Sequence, residues 1–236
     1  MKIRSVLLIT FLSIQVAQSQ VLINVDFGGG FFSPSGPVHT GAAVVGSAGD
    51  QWNSFDNTGQ NISGLGGALN DSTGSASGAI LTFNGSFLFN DTDTAYTGPA
   101  GSLMQDYLGI RTDFNGGVGT LTLTGLDTNA AYTLHTYSQP DVGGRQTTFA
   151  VDGGSSQTTS ASDAAASALV LGQNYLVFTG TTNGSGTMTI NYSVGTGEGA
   201  FNGFQLEVVP EPSTWTLLLA GALSLFLLRK QKRKLG

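Results

Sequence analysis

Three side chains have the chemistry of a saccharide-binding site. Trp52 offers a flat aromatic face within a polar stretch, and Tyr137 and Arg145 flank a loop at 139–144. Small-molecule sites commonly combine aromatic faces with a few hydrogen-bonding groups. We therefore take Trp52, Tyr137 and Arg145 as candidate ligand-binding residues. The alternative for Trp52 is that it only anchors the core or a loop.

A second polar run has the oxygen atoms that calcium prefers. The segment Asn90-Asp91-Thr92-Asp93-Thr94 places two carboxylates two residues apart. Calcium binds carboxylate and carbonyl oxygens, although the spacing of an EF-hand loop is not met. We predict no cofactor other than a structural calcium ion held by Asp91 and Asp93. The alternative is a solvated loop.

Catalytic patterns are weak in this chain. His39 and His135 are the only histidines, no Gly-x-Ser-x-Gly elbow occurs, and the absence of cysteine excludes thiolate nucleophiles and disulfides. Glycoside hydrolysis needs two facing carboxylates, and only Glu198 and Glu207 are glutamates between positions 20 and 209. We predict no catalytic residues and a non-enzymatic protein.

The charge distribution excludes one class of partner. Residues 20–209 contain fourteen acidic residues and two basic ones, Arg111 and Arg145. Affinity for DNA or RNA depends largely on lysine and arginine side chains that neutralise phosphates. The body of this protein is therefore not expected to bind nucleic acid.

The first nineteen residues have the pattern of a secretory signal peptide. Lys2 and Arg4 precede a short apolar run, and Ala17-Gln18-Ser19 supplies small residues at the positions that signal peptidase reads. We predict cleavage between Ser19 and Gln20. The alternatives are a buried first strand or an uncleaved anchor.

The last 27 residues combine three features in order. Pro210-Glu211-Pro212 precedes an apolar run at 215–228, and a cluster of five basic residues follows at 229–234. The fourteen apolar residues would form a helix about 21 Å long, which can cross a bilayer with help from flanking residues. The basic tail would remain in the cytoplasm, so the acidic body would lie outside.

This three-part order resembles the PEP-CTERM sorting signal of Gram-negative bacteria. The resemblance implies that a membrane-embedded, transpeptidase-like exosortase recognises Pro210, Glu211 and Pro212. It also implies cleavage near these residues, with 215–228 as a transient transmembrane helix. The alternative is a permanent single-pass anchor.

The body between the two signals has the pattern of an all-β protein. Short runs rich in Thr, Val, Tyr and Phe alternate with turns that contain glycine. We predict a jelly-roll-type antiparallel β-sandwich. Its predicted strands are 21–27, 42–45, 79–83, 86–89, 108–112, 120–124, 132–138, 147–151, 175–179, 187–192 and 201–208.

Helices and loops are predicted at a few other places. Ser102 and Gln105 form a capping-box pattern closed by Gly109, which predicts one short helical turn. An alanine-rich piece at 163–168 is too short for a stable helix. The Ser/Gly-rich stretch 65–78 predicts a long loop, and 195–199 a flexible one.

The second half of the body also resembles a known group of domains. The segments Gly125-Leu126, Phe149-Ala150-Val151-Asp152-Gly153 and Asn202-Gly203-Phe204-Gln205-Leu206 are similar to those of galactose-binding-like or malectin-like sandwiches. That resemblance implies the sandwich fold and, more weakly, a sugar ligand.

The sequence therefore predicts three segments: a signal peptide (1–19), a β-sandwich domain (20–209) and a PEP-CTERM signal (210–236). We expect an exported protein that is first anchored in the membrane and then sorted to the cell envelope or extracellular matrix. Its expected partners are signal peptidase, an exosortase and the membrane. One alternative function is a carbohydrate-binding module that acts on exopolysaccharide; a second is a secreted polysaccharide hydrolase.

Overall fold

The computed structural model describes residues 20–28, 38–90, 98, 100–160 and 167–209. The predicted signal peptide with Ser19, the candidate metal ligands Asp91 and Asp93, and the sorting signal with Pro210, Glu211 and Pro212 lie outside these residues. Within the described ranges, no helix has the length and apolar character needed to cross a membrane.

The described residues form thirteen β-strands and one 3-10 turn at Asn115–Gly117. The strands are β1 Val21–Asp26, β2 Asn53–Ser54, β3 Gln60–Asn70, β4 Ala76–Asn90, β5 Asp106–Ile110, β6 Val118–Thr124, β7 Ala131–Tyr137, β8 Gln146–Val151, β9 Gln157–Thr158, β10 Tyr175–Thr181, β11 Met188–Thr196, β12 Gly199–Phe201 and β13 Gly203–Val209.

The strands are arranged in two sheets. One has the order β10-β7-β13-β1-β2, and the other has the order β12-β5-β4-β6-β11-β8-β9, with β3 paired to β4 beside that path. Neighbouring strands are mostly antiparallel, while β1 and β2 run parallel. This arrangement confirms the predicted all-β sandwich.

Alternating burial along the strands creates the core between the sheets. In β6, Leu121 and Leu123 are fully buried, while the alternating Thr120, Thr122 and Thr124 are not. At one end of the core, the Phe27 ring lies 5.0 Å from the Phe83 ring and 5.1 Å from the Phe201 ring, both edge to face. Phe27 follows a strand of one sheet and the other two rings belong to the second, so these contacts join the layers.

The predicted strand at 42–45 is wrong. These residues form bends. The amide of Val44 donates to the Tyr137 hydroxyl at 3.0 Å, and the amide of Val45 donates to Oε1 of Gln205 at 3.1 Å. Because these side chains take the backbone donors, the apolar run does not need a partner strand.

The predicted long loop at 65–78 is also wrong. Most of it belongs to the hairpin of β3 and β4, and only 71–75 forms the turn between them. The Asp71 carboxylate closes this turn by accepting from the amides of Thr73 and Ser75 at 2.9 and 3.0 Å. Strand β4 is long enough to include both predicted strands at 79–83 and 86–89.

Two smaller predictions also differ from the structure. Residues 100–105 form one turn in which the amide of Met104 donates to the carbonyl of Ala100 at 3.2 Å, but the turn ends before β5, and the predicted closing residue Gly109 lies inside that strand. At the predicted flexible loop 195–199, β11 extends to Thr196 and β12 starts at Gly199. In both places, pairing with a neighbouring strand extends the sheet into residues whose local sequence favours a turn.

Asn202 lies where the chain passes from one sheet to the other, between β12 and β13. Its buried side chain donates from Nδ2 to the carbonyl of Asp106 at 2.7 Å and accepts from the amide of Gln139 at 2.5 Å. Its own amide donates to the carbonyl of Tyr137 at 3.0 Å, and its carbonyl accepts from the amide of Phe27 at 2.9 Å. Asn202 thus holds together the ends of β1, β5 and β7.

A buried pair of carboxyl groups joins the sheets beside Asn202. Asp26 ends β1, Asp106 begins β5, and both are fully buried. They share a hydrogen bond, and the amide of His39 donates to Oδ2 of Asp26 at 2.7 Å. Burial raises the pKa of Asp26 to about 7, against the opposing effect of these two hydrogen bonds. The pair therefore shares a proton at mildly acidic pH.

Replacing Asn202→Ala should strongly destabilise the sandwich. The change removes hydrogen bonds from two buried backbone groups, and each loss costs about 1–3 kcal/mol, so the free energy of unfolding should fall by about 2–6 kcal/mol. Urea unfolding followed by circular dichroism measures this value. The matched control is Asn183→Ala, in an exposed turn, which should cost about 1 kcal/mol. Equal losses in the two variants would contradict the role assigned to Asn202.

The Asp26 carboxyl should make the fold less stable as the pH rises from about 4 to about 7. Its pKa is 3.8 when unfolded and about 7 when folded, so in this window the unfolded chain has released a proton that the folded chain retains. The loss should be on the order of 4 kcal/mol. Unfolding measured at several pH values should show this decline in the wild type and a flatter one in Asp26→Asn. The exposed Asp127→Asn is the control, and parallel profiles for wild type and Asp26→Asn would refute the assignment.

Candidate functional site

Both basic residues of the body line one open pocket. The pocket has a volume of about 420 Å³ and is lined by Arg111, Thr112, Asp113, Arg145, Gly197 and Glu198. Because no other lysine or arginine occurs between positions 20 and 209, every positive side chain of the acidic body is at this site.

Two of the lining residues, Arg145 and Glu198, belong to a hydrogen-bonded cluster around the buried Tyr107 hydroxyl. That oxygen lies 3.0 Å from Oδ1 of Asp141 and 2.9 Å from Oε1 of Glu198. Nη1 of Arg145 donates to Oδ1 of Asp141 and lies 3.2 Å from Oε1 of Glu198. The Arg145 guanidinium therefore forms ion pairs with two carboxylates, those of Asp141 and Glu198, whose side chains are each only 15% exposed.

Burial is the main cause of the shifted pKa values of Tyr107 and Glu198 in this cluster. It raises the pKa of Tyr107 well above its ordinary value, and the nearby charges of Glu198 and Asp141 raise it further. The hydroxyl thus stays protonated and acts as a donor to the carboxylates. Burial also raises the pKa of Glu198, while the positive charge of Arg145 opposes that change.

The strand register brings these distant residues together. Arg145 immediately precedes β8, Glu198 immediately precedes β12, and Tyr107 lies within β5. Oγ1 of Thr147 accepts from the amide of Ala200 at 2.8 Å and donates to its carbonyl at 3.0 Å, which fixes the start of β12 against β8. Gly197 turns the chain into the pocket with a positive φ of 70°.

Arg111 and Asp113 form the exposed wall of the pocket. Nε of Arg111 donates to Oδ1 of Asp113 at 3.1 Å, and Nη2 donates to Oδ2 of the same residue. The guanidinium carbon lies 5.9 Å from the centre of the Phe87 ring. The aromatic face next to the pocket is therefore covered by Arg111.

The structure does not bring the three predicted ligand residues together. Trp52 and Tyr137 belong to one buried cluster, with exposed fractions of 8% and 0%. Nε1 of Trp52 donates to the carbonyl of Gly41 at 2.8 Å, and the Tyr137 hydroxyl donates to Oε1 of Gln205 at 2.5 Å. Their polar atoms are used inside the fold, and only Arg145 lines the pocket.

The two histidines lie in separate places. Nδ1 of His39 is 2.8 Å from Oγ of Ser102, which is the arrangement of a base beside a hydroxyl, and burial lowers the pKa of this imidazole. The nearby carboxylate of Asp26 binds the backbone amide of His39 and not its ring, so no Ser-His-Asp relay is formed. Nε2 of His135 lies 3.4 Å from Oε2 of Glu207 at another position.

No group of three or more metal-binding side chains occurs among the described residues. The predicted calcium ligands Asp91 and Asp93 lie outside these residues, so calcium binding stays a prediction.

Sequence patterns do not identify Tyr107, Asp141 and Glu198 as site residues, because they are more than 30 positions apart along the chain. One signal could have found the pocket: Arg111 and Arg145 are the only cations of an acidic body.

Known structures with some similarity to this chain include carbohydrate-binding modules. A family 35 module from Clostridium thermocellum is 15% identical, with a TM-score of 0.31, over 54% of this chain and 90% of the module. The CBM35 from Paenibacillus barcinonensis is 14% identical, with a TM-score of 0.29, over 55% of this chain and 92% of that chain. Similarity at this level does not indicate what the pocket binds.

No curated protein sequence matches the chain. Residues 208–234 match the PEP-CTERM protein-sorting motif, which confirms the resemblance inferred from Pro210-Glu211-Pro212 and the segments that follow. The motif indicates an exported protein that is processed by an exosortase. The chain thus carries a PEP-CTERM sorting signal directly behind its sandwich body.

Proposed function

We propose that this protein is a non-catalytic component of the cell envelope or extracellular matrix. In this proposal, residues 210–236 hold the exported chain at the membrane until an exosortase cleaves it near Pro210-Glu211-Pro212. The observation that carries the proposal is the position of the sorting motif. The motif matches residues 208–234, and the final strand β13 ends at Val209.

The body is complete before the proposed cleavage region begins. Strand β13 lies between β7 and β1 in its sheet, and its last residue, Val209, pairs with Ala131. Removal of the following residues therefore takes no strand from the described sandwich. A folded domain can be released intact.

The two proposed processing points lie side by side. Strands β1 and β13 are antiparallel neighbours in which Val21 pairs with Val208. The side-chain amide of Gln20, the first residue after the predicted signal peptide, donates to Oε1 of Glu207 at 2.8 Å. Both termini of the body leave from the same end of the sheet, so this end would face the membrane in the anchored protein.

The arginine pocket lies at the opposite end. At that end Gly203 pairs with both Asp26 and Tyr137, and the chain continues from Tyr137 through the loop to Arg145. Strand β13 rises about 20 Å between Gly203 and Val209. Asp141 of this loop bonds Arg145 of the pocket, so the pocket would face away from the membrane.

The geometry of the pocket supports a non-catalytic role. Asp141 and Glu198 are close enough together to invite comparison with a glycosidase pair. However, the guanidinium of Arg145 contacts both carboxylates. It fills the space in which the reacting carbon of a sugar would have to lie.

The same pocket favours carbohydrate binding as a second candidate function. Saccharides are recognised by convergent donors and acceptors, and Arg145 and Glu198 in the lining provide both kinds. An exopolysaccharide of the matrix would be the natural ligand. A glycan array carrying host polysaccharides tests this candidate, and binding to none of them excludes it.

Replacing Glu211→Ala should block maturation in a host that contains an exosortase. We expect the wild-type protein to lose its C-terminal segment, while the variant keeps Leu235-Gly236 and stays in the membrane fraction. Intact-mass spectrometry of both proteins measures this difference. Asp127→Ala, which removes an exposed acid from the body, should mature normally. A wild-type mature protein that still ends in Leu235-Gly236 would contradict the proposal.

A further inference from the structure

We infer that the arginine pocket, which Arg145 and Glu198 line, binds an uncharged saccharide through two neighbouring hydroxyl groups, one of which accepts a hydrogen bond from Arg145 while the other donates to Glu198. This inference rests on the second proposed function and names its site and ligand class.

The cluster of Arg145, Glu198 and Asp141 contains donor and acceptor atoms that make no hydrogen bond to the described residues. Arg145 uses only Nη1 in its hydrogen bonds to the described residues, so Nε and Nη2 have no partner among them. Glu198 and Asp141 likewise use only Oε1 and Oδ1 within the described part of the chain. A vicinal diol can accept from the guanidinium with one hydroxyl and donate to a carboxylate with the other.

The charge of the pocket selects against anionic ligands. Arg111 and Arg145 face three carboxylates, those of Asp113, Asp141 and Glu198. The carboxylates outnumber the guanidinium groups, so an incoming uronate or sulfate would enter a site with net negative charge. An uncharged sugar uses the same groups without breaking an ion pair.

The shape of the site favours hydrogen bonding over ring stacking. The ring of Phe87 is covered by Arg111, and Tyr107 is only 1% exposed. No aromatic face among the lining residues is therefore free to stack on a sugar. The volume of about 420 Å³ lies within the usual range for small-ligand sites, and the open mouth admits one unit of a longer polymer.

The test measures binding of the full chain in detergent to neutral and acidic polysaccharides, first on an array and then by calorimetry. The wild type should bind a neutral polysaccharide with an affinity that does not change between low and high salt, because no charge is neutralised. Glu198→Gln and Arg145→Gln should each weaken binding at least tenfold, since each removes a charge-assisted hydrogen bond.

Two further variants separate the pocket from general effects. Asp127→Asn removes one negative charge, as Glu198→Gln does, but at the other end of the sandwich, and should leave the affinity within twofold. Thr112→Trp should abolish binding, because a large ring at this exposed rim position blocks the pocket without touching the cluster. Thermal unfolding of each variant shows whether the fold is retained.

Each other outcome overturns a different part of the account. Unchanged affinity in folded Glu198→Gln and Thr112→Trp would place the ligand elsewhere and leave the saccharide function standing. A preference for uronate or sulfated polymers would overturn the ligand class. Binding to no glycan would remove the saccharide function itself, while the sorting proposal would be unaffected.

Discussion

The fold depends on a buried polar junction where the chain crosses between sheets. A body with few charges and no cysteine has to join its two layers by packing and hydrogen bonds alone. At Asn202, one side chain and its backbone bind segments from three other strands. Leaving such groups unpaired inside a protein is costly, so the junction permits a single arrangement of these strand ends. The carboxyl pair of Asp26 and Asp106 adds a second link beside it.

The junction at Asn202 also positions the residues that organise the pocket. Asp106, whose carbonyl is held by Asn202, immediately precedes Tyr107, and Gln139, whose amide is held by the same side chain, lies two residues before Asp141. The hydroxyl of Tyr107 then organises Asp141, Glu198 and Arg145 into one cluster. Thus a structural constraint in the core positions polar groups at the surface.

The sequence predicts individual strands better than it predicts which distant residues meet in the folded protein. Alternation in β6 and the apolar run of β1 identified strands because one face of each is buried. Strand β3 was missed because its glycine-rich sequence forms a strand only beside the long β4. The sequence indicates Trp52 as a ligand residue because it does not reveal that the indole N–H is used inside the fold. Tyr107 and Glu198 are 91 positions apart, and only strand register brings them into contact.

The register also gives the sandwich two ends with different roles in our account: one carries both termini, and the other carries the pocket. Because the chain lacks cysteine, single cysteines at Asp127, near the termini, and at Thr112, at the pocket, can be labelled cleanly. Energy transfer from each label to acceptors in the bilayer, with the full chain in nanodiscs, tests the arrangement most directly. The account predicts clearly stronger transfer from Asp127→Cys than from Thr112→Cys. Equal transfer, or stronger transfer from Thr112→Cys, would contradict it.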